Sequence, residues 1–338
     1  MSMKVTVPVR IGNTDEELGF IRAMGVEHVE LNIGPDQIDS ALLRAELDRL
    51  AAYGLTAVIL SCSALQKNDV IDLNLKEKDG KAVSRDREIE RFNRFVRVSA
   101  DAGIHTVSVA WQPSGIKRTC HKAGEHTRGG VSAFVDMEEI GSRPNDYGRE
   151  YTEEEVWDNF RYFLEHVSET CRESGVRLAL HPNDPPVPSL CGVASLIYNT
   201  EGYRRAFAMD RDNVVGVKLC IGCWLEGGDR LGDLMRDSRD FMEDDRIVSV
   251  HFRNVSSTLP VFEETLSEDG YGDMYAIMKQ LAACGYEGPI SIDHAFKGSP
   301  AMGGMLGAFA YPTGHMKGLL HAAEAELGKR ENPRGSQE

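Results

Sequence analysis

The sequence predicts an α/β chain closed into a (β/α)8 barrel, a TIM barrel, and three observations carry that expectation. Eight short β-branched runs alternate with eight helical patterns along 338 residues. Each interval has room for the crossover of a dozen or more residues that parallel strands require. The first run is not followed by the glycine-rich nucleotide loop that an open, doubly wound sheet ordinarily carries there.

Residues 5–9 (Val-Thr-Val-Pro-Val) form the first strand and lead into a helical pattern over 15–24 that stops at Gly25. A strand over 28–33 precedes a helix over 38–53, stopped by Gly54. Strands at 55–60 and 106–110 flank a helix over 86–102 that ends at Gly103. A long helix over 153–174 feeds the fifth strand, 177–181. Helices over 200–209, 230–242 and 272–284 separate strands at 215–220, 247–252 and 290–293, and a helix over 314–327 follows the last. Glycine just past a final turn takes the left-handed conformation that ends a helix, as at Gly285. One barrel is expected over 1–328, followed by a polar, frayed tail over 329–338.

Composition bounds the partners. Forty-one per cent of residues are hydrophobic and 27% charged, as in an ordinary globular enzyme. No apolar run reaches the length of about 18 residues that a membrane span needs, and the start lacks the apolar core of a signal peptide. The net charge of −15 disfavours nucleic acid and anionic membranes as partners of the whole molecule. Seven scattered cysteines read as reduced, hence cytoplasmic. Whether copies of the chain associate as a homo-oligomer is left open.

Two connections are long, 61–84 and 112–152, and both leave the carboxyl ends of strands. The second is locally basic, with Lys117, Arg118, His121, Lys122, His126 and Arg128 against Glu125. In an acidic chain this fits a pocket for an anionic ligand; a solvated loop is the alternative.

His181, Cys220, His251 and Asp293 end four successive expected strands. Parallel strands joined by helices bring their carboxyl ends to one face, where barrel enzymes keep their sites. Singly, each residue has an ordinary explanation, a satisfied histidine or a buried cysteine. Together they offer two imidazoles, a thiolate and a carboxylate, a set suited to Zn²⁺ or Fe²⁺ by softness, with thiolate less usual for Mn²⁺. Cys220 and Cys223 form a C-x-x-C, but no second pair follows, so Cys220 is taken as the ligand and Cys223 as incidental. His294 stands beside Asp293 with the chemistry of a general acid or base. Arg253, two residues beyond His251, is placed to grip a carboxylate with its fork. Four prolines between His181 and Pro188 stiffen the backbone that holds Asn183 and Asp184 near the site.

These residues resemble the mannonate dehydratases. That family usually reads His-Pro-Asp-Asp-Pro-Pro where this chain has His181-Pro-Asn-Asp-Pro-Pro186. It carries Leu-Cys-x-Gly like Leu219-Cys-Ile-Gly222, His-x-Arg-Asn-Val like His251-Phe-Arg-Asn-Val255, and Asp-Gly-x-x-Asp-Met like Asp269-Gly-Tyr-Gly-Asp-Met274. Gly-Pro-x-x-x-Asp-His follows, like Gly288–His294, and Arg85-Asp86, Arg118-Thr119 and Arg128-Gly-Gly130 are similar upstream. The resemblance covers most of the chain, in order. It implies a xylose-isomerase-like barrel that removes water from D-mannonate to give 2-dehydro-3-deoxy-D-gluconate, with Mn²⁺ or Fe²⁺. It implies His181, Cys220, His251 and Asp293 as metal ligands and His294 in proton transfer.

The chain departs from the pattern where the sugar is read. Asn183 replaces a usual Asp, Ala295-Phe296 replaces Gly-Arg, and His315 stands where Tyr is common. Lys297 offers a charge near the missing arginine but no bidentate fork. The expected activity is dehydration of a sugar acid, D-mannonate or a related aldonate, with Arg253 and His294 catalytic. Asn183, Asp184, Arg118 and Arg128 are expected to bind the substrate. The alternatives are a sugar isomerase or epimerase on the same barrel, and a metal-holding homologue that binds a sugar acid without turnover.

Overall fold

A computed structural model describes residues 2–293, 296 and 304–329, with the side chains of 304–306 excepted. Eight parallel strands close in chain order: β1 (Lys4–Arg10), β2 (His28–Asn32), β3 (Thr56–Ser61), β4 (Thr106–Ala110), β5 (Arg177–His181), β6 (Val215–Cys220), β7 (Ile247–His251) and β8 (Pro289–Ser291). Closure is made by β8 on β1, with Val5 opposite Ile290 and Thr6 opposite Ser291. Eight long helices surround the barrel: α1 (Asp15–Ala23), α2 (Ser40–Ala52), α3 (Arg85–Asp101), α4 (Glu153–Ser174), α5 (Thr200–Met209), α6 (Leu234–Glu243), α7 (Met274–Ala283) and α8 (Gly304–Glu326).

Helix starts follow local chemistry. Thr14, Asp39, Ser84, Thr152, Asn199, Asp233 and Asp273 each accept a hydrogen bond from a first-turn N–H of α1 to α7. Such a cap stabilises a helix by about 1 kcal/mol. Apolar faces then seal the strand–helix layer, where Phe92 meets Phe163 and Trp111 meets Phe160 edge to face at 5.0 Å. No described helix is long and apolar enough to cross a membrane.

Most boundaries shift from expectation by one to four residues, and three differences stand out. The helix α8 begins ten residues before 314 and runs through Pro312; proline removes one ladder bond, which an otherwise well-packed helix tolerates. Strand β7 stops at His251, one residue early. Strand β8 stops at Ser291 because Asp293 has φ +71°, outside the range of a strand.

The long connections are structured. Cys120–Ala123 and Val131–Asp136 form an antiparallel hairpin, and Val261–Thr265 and Asn254–Val255, from beyond β7, extend it to four strands. From the 112–152 connection Arg118, His121, Ala133 and Arg143 line a cavity together with His181 and His251. The hairpin's partner strands after β7 were not anticipated. Residues 61–84 hold two short helices, Ser63–Gln66 and Asp69–Asp72, and a small hairpin.

Candidate active site

Strand register carries three of the expected ligands together. Cys220 pairs with His251 and His251 with Ser291, so adjacent strands end at one level. His181, Cys220 and His251 are buried, and a ligand atom from each lies within 4.8 Å of the other two. The His181 Nδ1 lies 2.7 Å from the Pro182 carbonyl. A carbonyl only accepts, so Nδ1 carries the proton and Nε2 is left as the electron-pair donor.

Burial pushes the Cys220 thiol up, but the Cys223 S–H, the Arg253 charge and His181 outweigh it and hold Cys220 well below the usual thiol range. Cys223 is raised well above that range, by burial and by its hydrogen bond to Cys220. These opposite directions favour Cys220 over Cys223 as the ionised sulfur of the pair, and Arg253 Nη2 donates to Cys223 Sγ at 3.6 Å.

Asp293 stands beside the three. Its Oδ1 is 3.0 Å from His251 Nδ1 and its Oδ2 accepts from Arg253 Nε at 3.0 Å. The short His251 contact lacks hydrogen-bond alignment, and Nδ1 is a buried nitrogen with no partner. Burial would lower the His251 pKa, but the Asp293 carboxylate raises it overall. His294 lies outside the described residues, as do Ala295 and Lys297.

A buried network of charges adjoins this group, with Glu226 Oε2 left without a partner among the described residues. Arg253 donates to Asp293, from Nη1 to Glu226 Oε1 at 2.6 Å and from Nη2 to Asp184 Oδ2 at 3.2 Å. Arg118 forks onto both oxygens of Asp184 at 2.6 and 2.8 Å and reaches Glu264 at 2.9 Å. Burial opposes ionisation of Asp184, but the two guanidiniums outweigh it and lower its pKa. Glu226 goes the other way: burial, with Asp184 and Cys220 nearby, raises it well above normal against Arg253 and Arg118. The glycine of the Leu-Cys-x-Gly motif makes room for this network. A Cβ on Gly222 would sit 2.4 Å from Arg253 Cζ.

Arg253 is thus no open clamp for a substrate carboxylate, because its fork is aimed at the protein's own acids. Asn183 is likewise engaged: its Nδ2 donates to the Trp111 carbonyl at 3.0 Å and its Oδ1 accepts from Ile197 N–H at 2.8 Å. Arg128 is exposed, donating to Tyr311 at 3.0 Å and lying 3.1 Å from Glu268. Neither residue lines the cavity. Arg118 and Asp184 do, but they face each other.

A cavity of about 740 Å³ opens from His181, His251 and Asp293 to the covering hairpin. Sequence reasoning missed Lys218 and Glu30 on its floor. Lys218 donates to both Glu30 oxygens at 3.1 and 3.2 Å and to Ser108 Oγ at 2.9 Å. Burial pushes Glu30 up, but Lys218 and His251 bring its pKa below normal. The signal was present: Lys218 lies two residues before Cys220, on the same face of an apolar strand.

This is a xylose-isomerase-like barrel with a buried cluster of ligand-type side chains at its carboxyl end. The fold is similar to that of a xylose isomerase domain protein from Planctomyces limnophilus (TM-score 0.58, 11% identity, 98% of this chain and 100% of that one). It is closer to a mannonate dehydratase from Streptococcus suis serotype 2 (TM-score 0.80, 22% identity, 100% and 99%). A family model described as D-mannonate dehydratase (UxuA) matches residues 134–301. Mannonate dehydratase 2 of Halalkalibacterium halodurans is 28% identical over 252 residues, 65% of this chain and 72% of that protein. The chain spans about half the length of the Streptococcus agalactiae serotype V mannonate dehydratase, 51% of this chain and 49% of that one, at 32% identity. The chain belongs to the mannonate dehydratase family of hydro-lyases.

Proposed function

We propose that this protein dehydrates a sugar acid, D-mannonate or a related aldonate, to a 2-keto-3-deoxy acid. The convergence of His181, Cys220 and His251 at the end of a polar cavity carries the proposal. A divalent cation fits those residues: the His181 and His251 imidazoles and the Cys220 sulfur converge, and Asp293 Oδ1 lies 3.0 Å from the His251 Nδ1, which makes no hydrogen bond among the described residues. Fe²⁺ suits the donors, Mn²⁺ is the family's other metal, and Zn²⁺ is compatible by softness. When bound, the cation would supply Lewis acidity to substrate oxygens.

The reaction removes hydrogen from C2 and hydroxide from C3, leaving an enol that becomes the 2-keto acid and releasing one water. The C2 proton is weakly acidic, so the negative charge that develops on the carboxylate side must be stabilised. Cys220 and His251 hold one side of the site, while Arg253 fixes Asp293 through Nε. His294 is the proposed general acid for the departing hydroxyl. The carboxyl-end sheet limits access of bulk water to the cavity.

Incubating Fe²⁺- or Mn²⁺-loaded protein with a panel of aldonic acids tests the proposal. A 2-keto-3-deoxy product seen by NMR is the expected outcome. A C2 or C3 epimer, or saturable binding without product, would overturn it.

A further inference from the structure

The cavity has an unbalanced cation. Among the described residues, five lysines and arginines line it. Lys117 pairs with Asp146 at 2.7 Å, Arg118 with Asp184 and Glu264, and Lys218 with Glu30. Arg143 lies 3.9 Å from Glu139 and donates to the Arg118 carbonyl at 3.0 Å. Lys67 has, among the described residues, neither a carboxylate within ion-pair distance nor a hydrogen-bond acceptor. It caps the short helix Ser63–Gln66 after β3. Next to it, Gln66 donates to Ser108 Oγ at 3.2 Å, which ties this segment to the barrel floor.

We propose that Lys67 is the anchor for the substrate carboxylate. This deepens the dehydratase reading and rests on it. Lys67 lines the same cavity as His181, His251, Asp184 and Asp293. A partly buried ammonium without a counter-ion is unfavourable. An incoming carboxylate supplies the counter-ion, whereas a neutral sugar does not. Burial lowers the Lys67 pKa, and a bound anion would raise it again. Arg253 and Arg118 cannot take this part while their forks hold Asp184, Glu226 and Glu264.

Calorimetry with Mn²⁺-loaded protein tests this, using D-mannonate against neutral D-mannitol. Lys67→Met keeps the apolar stem and should weaken D-mannonate binding about 10- to 100-fold, the loss of one charge-assisted hydrogen bond. Binding of D-mannitol should not change, and Lys67→Arg should restore most of the D-mannonate affinity. Metal content and melting temperature should match the wild type. Unchanged D-mannonate affinity in Lys67→Met, or loss of metal in that variant, would overturn the anchor alone. A wild type that binds no D-mannonate or other aldonate would overturn the anchor and the dehydratase reading together.

Discussion

Two polar regions adjoin each other in this barrel, and they differ in the kind of side chain that builds them. Around Arg253 two guanidiniums are divided among Asp184, Glu226, Glu264 and Asp293, and Glu226 Oε2 is the buried oxygen left over. Around His181, Cys220 and His251 the electron-pair donors converge and leave His251 Nδ1 unmatched. Both regions are buried and each leaves one buried atom without a partner among the described residues, so burial and saturation do not tell them apart. The kind of group does: the ion pairs around Arg253 hold geometry, whereas two imidazoles and a thiolate together are donors for a cation.

The largest effect should come from breaking the ion-pair region. Arg253→Ala takes the guanidinium from Glu226 and Asp293 and leaves Asp184 with Arg118 alone, and breaking a buried pair costs about 3–5 kcal/mol. Urea denaturation should show it, and a loss below 1 kcal/mol would mean that the network is not structural. Gly222→Ala sharpens the same point. Its methyl would press on a guanidinium that three carboxylates pin in place, so the arginine cannot swing aside cheaply. Overpacking of this kind costs about 1–3 kcal/mol, measurable as a lowered midpoint with an unchanged slope.

The pH dependence of stability separates the regions more gently. Asp184 is depressed in the fold from the ordinary 3.8. Its contribution is therefore present above that value and is lost as pH falls through the folded pKa, because the unfolded chain takes the proton first. Denaturation of the metal-free protein between about pH 5 and about pH 2 should show this decline, since the loss begins near the unfolded carboxylate pKa and runs downward. In Asp184→Asn the protein should be weaker throughout but its acid decline shallower. An unchanged slope would remove Asp184 from the account.

Much of the barrel was legible because its signals are local. Alternation, capping residues and stop glycines mark each strand and helix, and three strand runs matched residue for residue. His181, Cys220 and His251 could be found because parallel topology gathers strand ends whatever their separation in sequence. The pairing of Val261–Thr265 with Val131–Asp136 could not, since antiparallel contacts between segments so far apart leave no periodic trace. The misplaced role of Arg253 has a related cause. Strand alternation shows which way a side chain points but not that Glu226 and Asp184, from two other connections, already wait there. Pro312 hid the first turns of α8 because proline ends more helices than it interrupts.

The central claim is that Cys220, and not Cys223, supplies sulfur to a metal held with His181 and His251. Loading the protein with Co²⁺ and recording its absorption spectrum tests this without relying on turnover. A thiolate-to-cobalt charge-transfer band should appear in the wild type, persist in Cys223→Ser and vanish in Cys220→Ser. A band that survives Cys220→Ser, or that both substitutions abolish equally, would contradict the account.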